Sequence, residues 1–158
     1  MASVRCKTAL ALISDFETLD VATMISRRTS DCTHTFLPSS MGIPPKSNAA
    51  FAEHITRLRE VMPKFPVTPK EVWEDVQKNT VIVHATSQAH FHEELKDDGI
   101  PAEEWQYQGT YMFIITTDES GEKIKKIQEF LDSRGSMRLL GLIKRARENR
   151  EKAGKKAT

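Results

Sequence analysis

From Trp105 to Ile115 every second residue is aromatic, glycine or aliphatic: Trp105, Tyr107, Gly109, Tyr111, Phe113 and Ile115, with the polar Gln106, Gln108 and Thr110 among the residues between. A period of two places successive side chains on opposite faces, so this stretch is a strand with one aromatic face that the rest of the chain must cover. Asp118, Glu119, Ser120 and Gly121 supply a turn. The return strand carries Ile124, Ile127, Phe130 and Leu131 and ends in a carboxylate, Asp132. The glycine between Tyr107 and Tyr111 predicts a bend or bulge, and a sheet curved there has a concave face able to hold a ligand.

The remaining segments read as cover and extension for that hairpin. Ala9, Leu10, Leu12, Ile13 and Phe16 recur at helical spacing and predict a helix from Val4 to Phe16. Thr18 or Asp20 caps a second helix carrying Val21, Met24 and Ile25. Cys32, His34 and Phe36 alternate with polar neighbours in a short strand that turns His34 to the apolar side, before a loop broken by Pro38, Gly42, Pro44 and Pro45. Ser47 or Asn48 then caps a third helix whose buried stripe is Phe51, Ile55, Leu58 and Met62, with His54 beside it.

Residues 65–78 carry conflicting signals. Thr68-Pro69-Lys70-Glu71 has the form of a helix capping box, yet Val67, Val72, Trp73 and Val76 suit a strand. The strand is favoured because a turn at Lys78-Asn79 would pair it with the next run, where Val81, Val83, Ala85, Ala89 and Phe91 alternate with His84, Thr86, Gln88, His90 and His92. Met137, Leu139, Leu140, Leu142 and Ile143 predict a closing helix, and residues 147–158 a basic, frayed tail. The expected architecture is one α+β domain over residues 1–146, with three N-terminal helices on a curved antiparallel sheet around an internal pocket and a C-terminal helix.

The 23 Lys plus Arg against 22 Asp plus Glu leave no global field to attract nucleic acid. Arg5, Lys7, Asp15 and Glu17 interrupt the first residues against a secretory or membrane-spanning segment, so a cytoplasmic protein with free thiols at Cys6 and Cys32 is expected. Neither a phosphate-cradling glycine loop, a nucleophile elbow nor a CxxC motif occurs.

Helices, a short strand tucked between the second and third of them, and then a run of strands resemble the α+β cone of the nuclear transport factor two-like superfamily, which includes ketosteroid isomerase, scytalone dehydratase and the SnoaL-like polyketide cyclases. Lys123-Ile124 through Glu129-Phe130-Leu131-Asp132, followed by the leucine-rich helix, is similar to the strand end of SnoaL-like proteins. Arg28 to His34, the proline-rich loop and the helix from Asn48 to His54 resemble small fungal SnoaL-like proteins of secondary metabolism. Some of these isomerise or cyclise polyketide or meroterpenoid intermediates.

The resemblance implies a cofactor-independent isomerase or cyclase of a hydrophobic, oxygenated natural product working by general acid–base catalysis, with a dehydratase or a non-catalytic binding or dimerisation module as the alternatives. His34 is a candidate acid or base, and the position of Asp132 suits a general base tuned by an apolar wall, although it would equally serve as a helix N-cap. Strict alternation puts Glu129 with Ile127 and Leu131, on the face opposite Asp132, so one of the two carboxylates faces the pocket; a bulge near Lys125-Lys126 would decide which. Tyr111 and His54 are further candidates, and Phe36, Met41, Phe51, Trp105, Tyr107 and Phe113 are the expected substrate-binding residues. His90 and His92 could share a metal from a strand but lack a third ligand, so no metal site is assigned. The polar side of the 80–92 run, with Met112 and Ile114, predicts a homodimer built sheet against sheet.

Overall fold

The structure is a computed structural model that describes residues 1–157. Helix α1 (Val4–Asp15) starts where Ser3 accepts a hydrogen bond from the Cys6 amide, and α2 (Val21–Ser26) where Asp20 accepts from the Thr23 amide. Strand β1 (Arg28–Leu37) follows, then a single 3-10 turn at Ser39–Met41 and helix α3 (Asn48–Arg59), capped by Ser47. Strands β2 (Val67–Asp75), β3 (Thr80–Gln88), β4 (Gln108–Thr117) and β5 (Ile124–Leu131) complete the sheet, and α4 (Ser133–Lys156) closes the chain. The conflict over residues 65–78 resolves as strand: β2 pairs antiparallel with β3 over its whole length, which satisfies its backbone as an isolated capping box could not.

The strands lie in the order β1-β5-β4-β3-β2. The sheet is mixed rather than wholly antiparallel, because β1 runs parallel to β5 and reaches it from the helical side of the chain. Its inner face is covered by α1 against β2 and β3 and by α3 against β1. The aromatic face read from the alternation is buried throughout, from Trp105 to Ile115. Trp105 itself precedes the strand, in a 3-10 turn at Ala102–Trp105. Phe130 points outward and is 48% exposed, opposite Met112 on the other face from the core.

Gly109 produces no bulge: the register of β3 against β4 runs unbroken through Ser87–Gly109. What it supplies is space. A Cβ there would lie 2.3 Å from the Tyr107 hydroxyl, 2.4 Å from that of Tyr111 and 2.8 Å from Ser87 Oγ, three groups joined by hydrogen bonds of 2.9 Å. Gly109→Ala should therefore push apart a buried hydroxyl cluster and lower stability by about 1–3 kcal/mol, the usual cost of overpacking. Equal urea midpoints for the two proteins would contradict this packing. The irregular pairings fall elsewhere, between Arg28 and Thr33, Pro69 and Glu71, and Thr116 and Thr117.

Helix α4 roofs one end of the sheet. Leu142, Ile143 and Ala146 are buried beneath it, whereas Met137 and Leu140 are exposed, Leu140 at the rim of a cavity. Arg138 donates to the carbonyls of Glu103, Glu104 and Gln106, and Asn149 Nδ2 to that of Leu95 at 2.9 Å, so the helix is fastened to the loop that precedes β4. The basic segment for which fraying was expected is helical as far as Lys156. No helix among the described residues is long and apolar enough to cross a membrane.

Candidate active site

The cavity lies between α3, α4 and the inner face of the sheet. It measures about 110 Å³, and Phe16, Phe36, Phe51 and Phe65 form much of its wall, with Met41 from the 3-10 turn and Leu140 from α4. Glu129, His54, Tyr111 and Ser136 are its polar members. A void with several titratable groups converging on it is the arrangement expected of an enzyme rather than of a filled structural core.

Glu129 reaches this cavity because of a bulge in β5. Thr116 pairs with Lys126 and Thr117 with Ile124, so Lys125 is the extra residue and the inward parity changes there. Ile124 is buried on one side of the bulge; Ile127, Glu129 and Leu131 are buried on the other. Asp132, on the opposite parity, is exposed at the N-cap of α4. Its carboxylate makes no capping hydrogen bond and leans over Gly135, whose Cβ position is 2.7 Å from Oδ2. The carboxylate in the pocket is Glu129.

Behind Glu129 stand two more polar side chains. His34 Nε2 lies 2.7 Å from Glu129 Oε2, and His34 Nδ1 lies 3.3 Å from Arg28 Nη2. All three residues are buried, at 6%, 0% and 5% exposure for Glu129, His34 and Arg28. The imidazole is held flat between two rings, Phe36 at 4.7 Å and Phe51 at 4.8 Å, each nearly parallel to it. Arg28 stacks on the other part of this layer, its guanidinium carbon 3.8 Å from the Phe51 centroid. His34 does not line the cavity; it supports the group that does.

Six residues separate Arg28 from His34, and the irregular start of β1 is what brings them together. Arg28 pairs with Ile124 and Thr33 with Lys126, so the residues between loop outward from the ladder. Asn48 Nδ2, at the first turn of α3, donates to the carbonyls of Thr29 at 2.8 Å and Ser30 at 3.4 Å and holds that loop. An arginine can donate but not accept, so Nδ1 of His34 is the acceptor in this contact. The ring proton then sits on Nε2 and is donated to the Glu129 carboxylate. Burial lowers the His34 pKa, opposed by the hydrogen bond to Glu129 and aided by the charges of Arg28 and Lys46, so the ring is neutral at neutral pH.

His54 lines the same cavity, and among the described residues its ring nitrogens have no hydrogen-bond partner. Burial, helped by the nearby positive charge of Lys46, pushes its pKa down to about 4. A folded pKa below the unfolded value of about 6.5 means that the unfolded chain binds more protons between those values, so stability present above pH 6.5 is lost as the pH falls towards 4. His54→Gln should flatten that loss by up to about 3 kcal/mol, measured as the difference in urea stability between pH 7.5 and pH 4.5. An unchanged pH dependence in the variant would remove His54 from the account.

Tyr111 contributes its ring to the wall, but its hydroxyl is engaged with Ser87 and Tyr107, and burial raises its pKa. Tyr107 itself interacts with Ser136 of α4. Of the expected substrate-binding residues Phe36, Met41 and Phe51 line the cavity. Trp105, Tyr107 and Phe113 do not: Trp105 packs on Phe91 beneath Arg145, Tyr107 on Phe65, and Phe113 on Phe16 and Tyr111. His90 bridges to Lys64, while His92 contacts the Arg59 carbonyl, and no group of three His, Cys, Asp or Glu side chains able to hold a metal occurs among the described residues.

Arg28, Ser87 and Ser136 are the polar residues that the alternation argument passed over. Ser87 shares the odd parity of Val81, Val83 and Ala85, so period-two counting carried further would have found it, whereas Arg28 lies beyond the looped start of β1, where the exposed Ser30 interrupts the alternation.

With solved proteins, the fold is shared widely. A pinacolase, BvnE from Penicillium brevicompactum, superposes with a TM-score of 0.76 at 21% identity, over 88% of this chain and 93% of that one. AusH from Aspergillus nidulans superposes with a TM-score of 0.71 at 21% identity, over 84% and 86%. The chain shares the fold of these proteins. At the level of sequence, a protein named monooxygenase dmxR10, from Cryptosporiopsis sp. (strain 8999), is 24% identical to this chain over 132 residues, covering 84% of it and 82% of that relative. No protein-family profile matches.

Proposed function

We propose that the protein is an isomerase or cyclase of a hydrophobic, oxygenated natural product, with Glu129 as the general base. The observation that carries this reading is a buried carboxylate with one oxygen held by His34 and the rest of its surface given to an apolar cavity. Glu129 Oε1 has no partner among the described residues and is the atom that takes a proton from a carbon beside a carbonyl. The electron pair moves onto the carbonyl oxygen, where the N–H of neutral His54 stabilises the enolate. Return of the proton to another carbon gives isomerisation; attack of the enolate carbon on a second carbonyl gives cyclisation. That a protein named a pinacolase shares the fold supports an isomerase-type reading.

The cavity is smaller than the roughly 300–1,000 Å³ of ordinary small-molecule sites. A substrate larger than the cavity enters by displacing flexible wall side chains, Met41, Met62, Leu139 and Leu140. Homodimerisation remains part of the proposal: Trp73, Ile82, Ile114, Met112 and Phe130 form an apolar band across the outer face of the sheet. Light scattering at micromolar concentration should give twice the chain mass; a monomer would contradict it.

The name of the relative from Cryptosporiopsis favours a second reading, insertion of one oxygen atom of O2 while the other leaves as water on two electrons and two protons from an external two-electron reductant. One experiment separates the two. The protein is incubated in D2O under isotopically labelled O2, with and without an added two-electron reductant, with an aryl ketone bearing one α-hydrogen, and the recovered probe is weighed by mass spectrometry. Catalysed uptake of deuterium without labelled oxygen supports proton transfer; uptake of labelled oxygen supports the monooxygenase, and neither product would contradict both readings.

A further inference from the structure

Arg28 is a buried cation without a carboxylate partner. Its Nε and Nη1 are buried and meet no hydrogen-bond acceptor, and Nη2 faces His34 Nδ1, so the anionic groups that act on its charge, Glu129 and the Cys32 sulfur, make no ion pair with it. Such an arrangement disfavours the folded state, since buried donors ordinarily find acceptors and buried charges ordinarily find counter-charges. Methionine of similar length would fill the same slot against Phe51 without either penalty. A costly group held in place by a looped strand start and the clamp from Asn48 invites a functional reason.

We infer that Arg28 is a positioning residue: by pointing an N–H at Nδ1 of His34 it bars a second proton from the ring, so that His34 meets Glu129 as a neutral donor and leaves its carboxylate basic. A proton on Nδ1 would face the guanidinium donor head-on, with like charges in contact at 3.3 Å. Without Arg28, Nδ1 is free to bind a proton and the carboxylate at 2.7 Å from Nε2 stabilises the imidazolium that results. Glu129 in contact with a full cation is a weaker base than Glu129 in contact with a neutral N–H. The charged and titratable groups around this ring are Arg28 and Cys32 on β1, Glu129 on β5, Lys46 in the loop before α3 and His54 on α3. None of the others has a proton donor on Nδ1.

The inference rests on the proposed role of Glu129, but its test reads the ring directly. Nitrogen NMR of histidine-labelled wild-type protein at pH 7 and pH 6 should show one buried imidazole with a protonated Nε2 and a bare Nδ1 at both pH values, though an ordinary histidine is largely charged at the lower one. Arg28→Met should keep its melting temperature or raise it, and at pH 6 its His34 should carry protons on both nitrogens in a substantial fraction of molecules. Deuterium exchange on the aryl ketone should fall roughly tenfold or more through turnover and not KM, well short of the roughly 10⁴-fold lost when a histidine that itself transfers the proton is held in the wrong tautomer. A wild-type ring charged at pH 7, or bare at Nε2, overturns the inference without any variant. So does a variant whose ring spectrum matches wild type, or one whose spectrum changes while exchange does not. If wild type shows no exchange at all, the proposed function fails and the ring spectrum still decides the role of Arg28.

Discussion

Glu129→Gln should lose turnover by roughly 10²-fold to 10⁴-fold, the usual contribution of a positioned base, while the protein keeps its fold. Glutamine has the same shape, and its carbonyl oxygen can still accept the His34 Nε2–H, so the hydrogen bonds of His34 to its two neighbours are kept. What disappears is the ability to take a proton at neutral pH. Ligand affinity should change little, because the cavity wall is apolar apart from a few groups, and KM should hold while kcat falls. A variant that unfolds near room temperature would mean that the Glu129 charge holds the core together, and a variant with wild-type turnover would remove Glu129 from the chemistry.

Phe51→Ala should be the most damaging change to stability, by about 3–5 kcal/mol. Phe51 is buried, stacks on His34, lies under the Arg28 guanidinium and walls the cavity. Its removal takes away a large apolar surface and also exposes two polar side chains to a void. The loss is to be read from urea denaturation as a lower midpoint with an unchanged slope. A fall of less than about 1 kcal/mol would show that the neighbouring side chains close the gap and that the layer is looser than described.

The fold was legible wherever one periodicity ran without interruption. The odd-numbered aromatics of β4, the even-numbered inward residues Cys32, His34 and Phe36, and the stripe of α3 all needed only counting. The active carboxylate was harder for a definite reason. Counting by twos from Ile124 arrives at Asp132, whereas counting from Ile127 arrives at Glu129, and both starting residues are buried because Lys125 bulges out of the ladder between them. A bulge depends on pairing with a partner strand, which a single strand's pattern does not display. The same limit hid Arg28, separated from its inward companions by the looped start of β1, and misread Gly109, whose purpose is set by two hydroxyls that meet beside it. In α4 the leucine-rich run gave the helix but not its rotation, so Leu142 and Ile143 are buried while Met137 and Leu140 are not.

The most direct measurement is the rate of deuterium exchange into the aryl ketone by Glu129→Gln and Asp132→Asn side by side with wild type. Asp132 is exposed, makes no capping hydrogen bond and lies on the far parity from the cavity, and asparagine caps a helix about as well, so Asp132→Asn should exchange and melt like wild type. Glu129→Gln should be slower than Asp132→Asn by roughly 10² or more at equal melting temperature. The reverse order, with Asp132→Asn inactive and Glu129→Gln unimpaired, would contradict the assignment of Glu129 as the base of this cavity.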